Sequence, residues 1–378
     1  VTSRTTATPL HGPDFGSYAA DDVTWLLKDL SHADLEAPVE EREAAIQAGT
    51  AHYAESLPVE YQPSPEYTAL FEKALAEQAR RVALAAGVLV HLVVDLRGDD
   101  AALVSLARAG TPIGILLRRY ARRLGLDLPH YTMSIVRGRG LDQVALRHLA
   151  ERHAPGDVVF VDGWTGKGAI SRELTAACAA LEQRTGQRFD PSLAVLADPA
   201  NSTDVYGTRD DFLIPSACLN STVSGLVSRT VLNDRLIGPD DFHGAKFYAE
   251  LAPGDVSRRY VDEVEAHFDD VADEARAEAT RLLGTDRTPS WSGWQAVEEV
   301  SAAYGIGDVN LVKPGVGETT RVLLRRVPWR ILVRPDRRHE LGHVELLAEQ
   351  RGVPVEVVEG LAFSCMGLIH PRFAQSES

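Results

Sequence analysis

Val158-Val159-Phe160-Val161-Asp162-Gly163-Trp164-Thr165-Gly166-Lys167-Gly168-Ala169-Ile170 decides the fold. Its apolar, mostly β-branched start predicts a buried strand; an acid, a Gly/Thr loop and a helix follow. In an open α/β sheet, ligands meet the carboxyl ends of the strands. A glycine loop opening a helix offers bare N–H groups and the positive end of the helix dipole, which suits phosphate. Thr165, Gly166, Lys167 and Gly168 are thus candidate phosphate holders. Asp162 is the candidate for ribose hydroxyls, or for a metal through water. Walker A spacing and GxGxxG both fail here. A sharp strand-to-helix turn that needs glycine for its backbone explains the same residues without a ligand.

Outward from this stretch, the runs 88–94, 112–117, 131–136 and 193–196 read as further strands. Helical patterns at 100–107, 116–124, 142–153 and 168–183 alternate with them. The alternation predicts a doubly wound parallel sheet with helices on both faces. Residues 21–90 read as mainly helical: one helix opens at Asp21-Asp22, and a second covers 67–86. The first ~20 residues read as a loose arm. Residues 256–283 read as one acidic helix, and turn formers at 284–290 mark a linker. The expected units are 1–87 (arm and helical extension), 88–283 (catalytic), 284–304 (linker) and 305–378 (a small α/β module).

Composition sets outer limits. A formal charge of −15 over 378 residues argues against a uniformly basic nucleic-acid or membrane binder. No apolar run approaches the ~18 residues of a membrane span, and the N-terminal stretch has no apolar signal core. Three cysteines (Cys178, Cys218, Cys365), without CxxC spacing, fit a reducing cytoplasm rather than a disulfide scaffold. The expected setting is cytoplasmic. Residues 305–338 carry eight basic and three acidic side chains, a local +5 inside the acidic average.

The glycine stretch resembles the ribose-phosphate motif of type I phosphoribosyltransferases, with Gly163 where that motif carries a second acid. Leu106-Ala107-Arg108-Ala109-Gly110-Thr111 is similar to their pyrophosphate loop, and Arg137-Gly138-Arg139-Gly140 lies where they carry a basic flap. The runs 17–30, 40–67, 160–170 and 213–232 together resemble a bacterial family associated with tellurium-resistance (Ter) stress operons. Its members are predicted phosphoribosyltransferases with a C-terminal Pelota-like RNA-binding domain, and some relatives carry the label cysteine protease StiP.

The resemblance implies a type I phosphoribosyltransferase-like sheet, a helical N-terminal extension and a Pelota/L7Ae-like C-terminal module. It implies transfer from phosphoribosyl diphosphate, with substrate-borne Mg2+, to a nucleobase-like acceptor. Arg108, Ala109, Gly110 and Thr111 would hold the diphosphate. Arg137 and Arg139 would stabilise it as it leaves. Asp162 and Asp198 would serve the reaction, with Asn201, Ser216 and Asn220 near the acceptor. Lys313, Arg321, Arg325 and Arg326 would meet RNA, with the amides of Gly315 and Gly317. A homodimer is a further candidate partner arrangement. No membrane partner and no protein-held metal site is expected.

Three alternatives remain open at this level: a hydrolase of a phosphoribosyl metabolite, an RNA-binding regulator, and a cysteine peptidase. The last would use Cys218 with His243, oriented by Asp241 or Asn220. His339-Glu340-Leu341-Gly342-His343 matches HExxH formally but lacks the metzincin extension, and reads as a decoy.

Overall fold

A computed structural model describes residues 7–36 and 53–370. Its larger unit is built on six strands: β1 (Thr24–Leu26), β2 (Ala102–Leu106), β3 (His130–Met133), β4 (Val158–Trp164), β5 (Leu193–Ala197) and β6 (Val205–Thr208). They pair in the order β1-β3-β2-β4-β5-β6, every pair parallel. All five residues of β2 and of β5 are buried, as strands inside a parallel sheet require.

The helices of this unit are α1 (Pro65–Arg97), α2 (Gly110–Arg123), α3 (Gln143–Ala150), α4 (Ala169–Thr185), α5 (Ser257–Glu265) and α6 (Phe268–Leu283). The chain leaves β2 through α2 toward one edge, and leaves β4 through α4 toward the other. Right-handed crossovers in opposite directions put α2 and α4 on opposite faces. A crevice therefore opens between the carboxyl ends of β2 and β4.

Several local expectations are overturned. Residues 88–94 belong to α1, which runs unbroken for 33 residues. Its apolar run is a helix buried on most sides, and periodicity alone does not separate that from a buried strand. Phe71, Leu75, Leu89 and Leu92 are fully covered, each worth roughly 1.5–3 kcal/mol of burial. Gly98, at φ 75°, ends the helix. The run 112–117 is likewise helix: Pro112 sits in the first turn of α2, where a missing N–H costs nothing. The expected helix at 100–107 is strand β2.

The expected N-terminal helix is instead edge strand β1, with Thr24, Trp25 and Leu26 in register with Tyr131, Thr132 and Met133. The arm packs as well: Leu10 bridges Trp25, and Phe15 and Tyr18 are buried. Residues 1–6, much of the resemblance run 40–67 and the end of the chain lie outside the described residues. The 256–283 stretch breaks into α5 and α6 around Ala266 and His267.

The smaller unit contains α7 (Ser292–Ala303), β7 (Val312–Pro314), α8 (Val316–Arg325), β8 (Pro328–Val333), α9 (Gly342–Gln350), β9 (Val355–Val357) and β10 (Cys365–Ile369), in sheet order β7-β10-β8-β9. Helix α7 occupies the stretch expected as linker. Its Ala296, Val297 and Val300 join Val312, Leu332, Met366 and Leu368 in this unit's own core. Cys365 opens the central strand β10. The chain is thus a parallel α/β unit followed by a small α/β module. Among the described residues no helix is long and apolar enough to cross a membrane.

Candidate functional site

The loops after β2 and β4 face each other across the crevice. From the first, Arg108 and Ala109 line a cleft; from the second, Asp162 and Trp164 do. Ser216 and Asn220 form a third wall, and Arg321 of the C-terminal module a fourth. Gly110 is required here, because a Cβ would stand 2.5 Å from the Val161 carbonyl oxygen. Its own carbonyl accepts from the Ser105 hydroxyl at 2.9 Å, which fastens the loop to β2. Thr111 is buried beneath the loop, where its hydroxyl accepts from Thr132. Arg108 pairs with Glu60 at 3.6 Å, and Glu60 also receives the Ser221 N–H and hydroxyl.

Asp162 is half-buried at the cleft floor, with one oxygen accepting the Gly163 N–H at 2.8 Å. Burial pushes its carboxyl up to about 6, against that hydrogen bond and the Arg321 charge. The guanidinium of Arg321 stands 5.2 Å from the Trp164 ring, donates to the Ala217 carbonyl at 3.2 Å and pairs with Glu318.

The glycine loop opens a second, adjoining cleft between the two units. Arg137, Lys167, Ser171, Trp294, Lys313 and Glu318 are among its walls, and Asp162 is shared. Gly168 takes φ 66°, and a Cβ there would meet the Trp291 ring at 2.4 Å. Lys167 reaches across the seam to the Val309 carbonyl at 2.6 Å. Gly166 lies against Pro314.

Other expected site residues are engaged elsewhere. Asp198 is fully buried, and its oxygens accept from Thr165, Ser202, Thr203 and Arg209, so it is a structural carboxylate rather than an acceptor-facing one. Asn201 donates to Ser290 at 2.6 Å and fixes the connection to the module. Arg139 is exposed and pairs with Glu55, whereas Arg137 turns to the cleft. Of the amides expected to face RNA, the Gly315 N–H donates within the module to the Cys365 carbonyl at 2.9 Å. The turn itself packs on the larger unit, with the Val316 N–H donating to Asp211 at 2.8 Å, Gly315 beside Asp211 and Gly317 beside Ala217. Arg321 belongs to the first cleft, and Lys313 to the seam. Arg326 is exposed, and the Arg325 side chain lies outside the described ones.

Asp211, missed in the sequence, is the docking residue: it also accepts the Ser364 N–H at 2.8 Å. The doublet Asp210-Asp211 after β6 was its only signal.

The three cysteines are buried and outside any disulfide. Burial pushes Cys178 up to about 12 and Cys365 well above the usual thiol range. Cys218 ends the short 3-10 turn Pro215–Cys218, between cleft residues Ser216 and Asn220, beside the buried Tyr260 phenol. Its expected partner His243 is committed elsewhere. The ring Nδ1 bonds the Ser134 hydroxyl at 2.9 Å, the backbone N–H of His243 donates to Asp142, and Asp241 pairs with Lys28. In the HExxH stretch, His339 and Glu340 fall in the turn Pro335–Glu340 before α9 begins, so the two histidines share no helix face. His343 bonds Thr320, and Glu340 pairs with Arg81 and Arg337. Among the described residues no three His, Cys, Asp or Glu side chains converge as a metal site.

Fold and site together define an α/β protein with a crevice at the switch of its parallel sheet, walled in part by an appended α/β module. The chain belongs to the family described as tellurite-like stress resistance cysteine protease StiP, which matches residues 16–265. Residues 291–371 match the PELOTA RNA binding domain. A relative in Acinetobacter baylyi (strain ATCC 33305 / BD413 / ADP1), named cysteine protease StiP, is 33% identical over 354 residues. The match covers 91% of this chain and 90% of that one. These findings overturn the expected phosphoribosyl transfer: family and relative are both named for thiol proteolysis, not for a glycosyltransferase. Phosphoribosyl diphosphate as donor falls with that reaction, as does the magnesium expected to accompany it. The PELOTA match begins at 291, so α7 belongs with the module rather than with a linker.

Proposed function

We propose that the chain is a stress-response cysteine peptidase that works in the crevice between β2 and β4, with Cys218 as nucleophile and Asp162 as acid–base group. What supports the reading is the family's name, together with one placement: Cys218 belongs to the wall segment whose Ser216, Leu219 and Asn220 line the cleft above Asp162. The thiolate sulfur attacks the carbonyl carbon of a peptide bond, and an S–C bond forms. The C–N bond then breaks, and the amine leaves with the proton taken from the thiol. Water hydrolyses the thioester and restores the thiol. A carboxyl near 6 exchanges protons close to neutrality, as this relay requires. Arg108 and Arg321 are placed to neutralise a carbonyl oxygen or a substrate carboxylate. The thiol has no exposed surface, so the turn Pro215–Cys218 must shift for attack. The C-terminal module is read as RNA-binding, on its match to the PELOTA domain.

The pH profile of peptide hydrolysis tests the role of Asp162. Activity needs its ionised form, so kcat/KM falls as pH drops through about 6, and Asp162→Asn removes that limb along with most of the activity. The stability sign is opposite. The folded-state value lies above the ordinary carboxylate value of ~3.9, so the neutral form stabilises the fold. That contribution is present at acid pH and is lost as pH rises from about 4 through about 6. An unchanged acid limb in Asp162→Asn excludes this carboxyl from the relay.

A further inference from the structure

The module's turn at Gly315–Gly317, expected to meet RNA, packs against Asp211 and Ala217 of the larger unit, and its Gly315 N–H is taken by the Cys365 carbonyl, which leaves the question of where RNA would meet the module. The seam cleft holds an answer. Lys167 and Arg137 from the larger unit and Lys313 from the module line one space, with Arg172 at its edge. They stand close enough that Lys313 and Arg137 add to burial in pushing the Lys167 ammonium down to about 8, offset in part by Asp308 and Glu318.

The same space receives the N-terminus of α4, a 17-residue helix with no side-chain cap. In its first turn, Ser171 is 6% exposed and lines the cleft, and its buried hydroxyl has no hydrogen-bond partner. A buried polar atom left unmatched beside clustered cations and a helix N-terminus calls for an anionic acceptor. Trp294 adds an aromatic wall, with the Arg172 guanidinium 4.4 Å from its ring.

We propose that this seam binds single-stranded RNA, a backbone phosphate seated among Lys167, Lys313, Ser171 and the α4 N-terminus, with an adjacent base against Trp294. The proposal rests on the reading of the module as RNA-binding. It moves the contact from the outer basic residues to a surface both units share. RNA is favoured over a small phosphate ester because one wall is the module itself, and because the cleft is open and carries an aromatic surface for a base.

The test is fluorescence anisotropy of a labelled single strand of about ten nucleotides with the full chain, across a salt series. Lys313→Gln and Lys167→Gln are expected each to weaken binding about tenfold and to flatten the salt dependence by about one ion. Ser171→Ala, which removes one hydroxyl and leaves the helix intact, is expected to weaken it about threefold. Arg326→Gln, on the outside, is expected to stay within about twofold. Unchanged melting temperatures confirm that each variant folds. Tight RNA binding that is indifferent to the three seam variants but lost in Arg326→Gln overturns the seam while sparing RNA binding itself. Absence of RNA binding overturns both, and protection by inorganic phosphate without RNA binding assigns the seam to a small anion instead.

Discussion

Cys218→Ala is expected to lower kcat/KM for peptide hydrolysis by at least about 10³-fold, with KM little changed. Removing a nucleophile deletes the covalent step, so the loss is in kcat; residual turnover would come from cleft binding and Arg108 and Arg321 alone. Cys218 is wholly buried, and alanine occupies its space without introducing a polar atom. The fold survives with a small cavity cost, and melting before and after separates lost chemistry from lost structure. Cys178 and Cys365 are the internal controls. Both are buried, held far from their thiolates and placed in α4 and β10, away from the cleft wall. Their alanine variants should keep activity within about twofold once folded. Activity that survives in Cys218→Ala and disappears in either control would move the chemistry elsewhere.

Asp198→Ala is expected to destabilise the protein by about 3–5 kcal/mol, read as a lower denaturant midpoint. The carboxylate is fully buried at the end of β5. It collects the Thr165 and Ser202 hydroxyls, the Ser202 and Thr203 N–H groups, and the Arg209 guanidinium. Removing it strands the half-buried Arg209 cation and several buried donors at once. It also frees Thr165, which pins the glycine loop to β5. Asp198→Asn keeps the shape but loses the charge opposite Arg209, and is expected to cost less. Well below its melting temperature, Asp198→Asn should keep near-normal hydrolysis. A loss of activity with unchanged stability would instead return Asp198 to the chemistry.

The residues 158–170 were legible because strand, acid, glycine turn and helix each carry a local signature, and β4 and α4 follow them. The strands at 131–136 and 193–196, and helices α3 and α4, were readable for the same reason. Three of the errors share one cause. Residues 88–94 and 112–117 are apolar segments of buried helices, and 102–106 is a strand covered on both faces; burial on all sides erases the alternation that marks a strand or a helix. Strand β1 was hidden by the acids before it, which look like a helix cap.

At the site, Asp162, Arg108, Ser216 and Asn220 do converge, because each follows or faces a strand end. Arg321 and Asp211 were misread or missed, since nothing local shows that the C-terminal module docks over the crevice. The pairing of Cys218 with His243 failed for a similar reason: proximity across about 25 residues of irregular chain has no sequence signal. Chemistry was the least legible layer. A glycine loop after a strand speaks for an anion at a helix end, whereas the family is named for thiol proteolysis.

The central claim is most directly tested by covalent trapping. The full chain is treated with a peptide bearing a thiol-reactive electrophile at its scissile position, digested, and mapped by mass spectrometry. The account predicts a single adduct on Cys218, formed faster above pH ~6 than below it and slowed by Asp162→Asn. An adduct on Cys178 or Cys365 alone, or trapping at Cys218 that ignores both pH and Asp162, would contradict it.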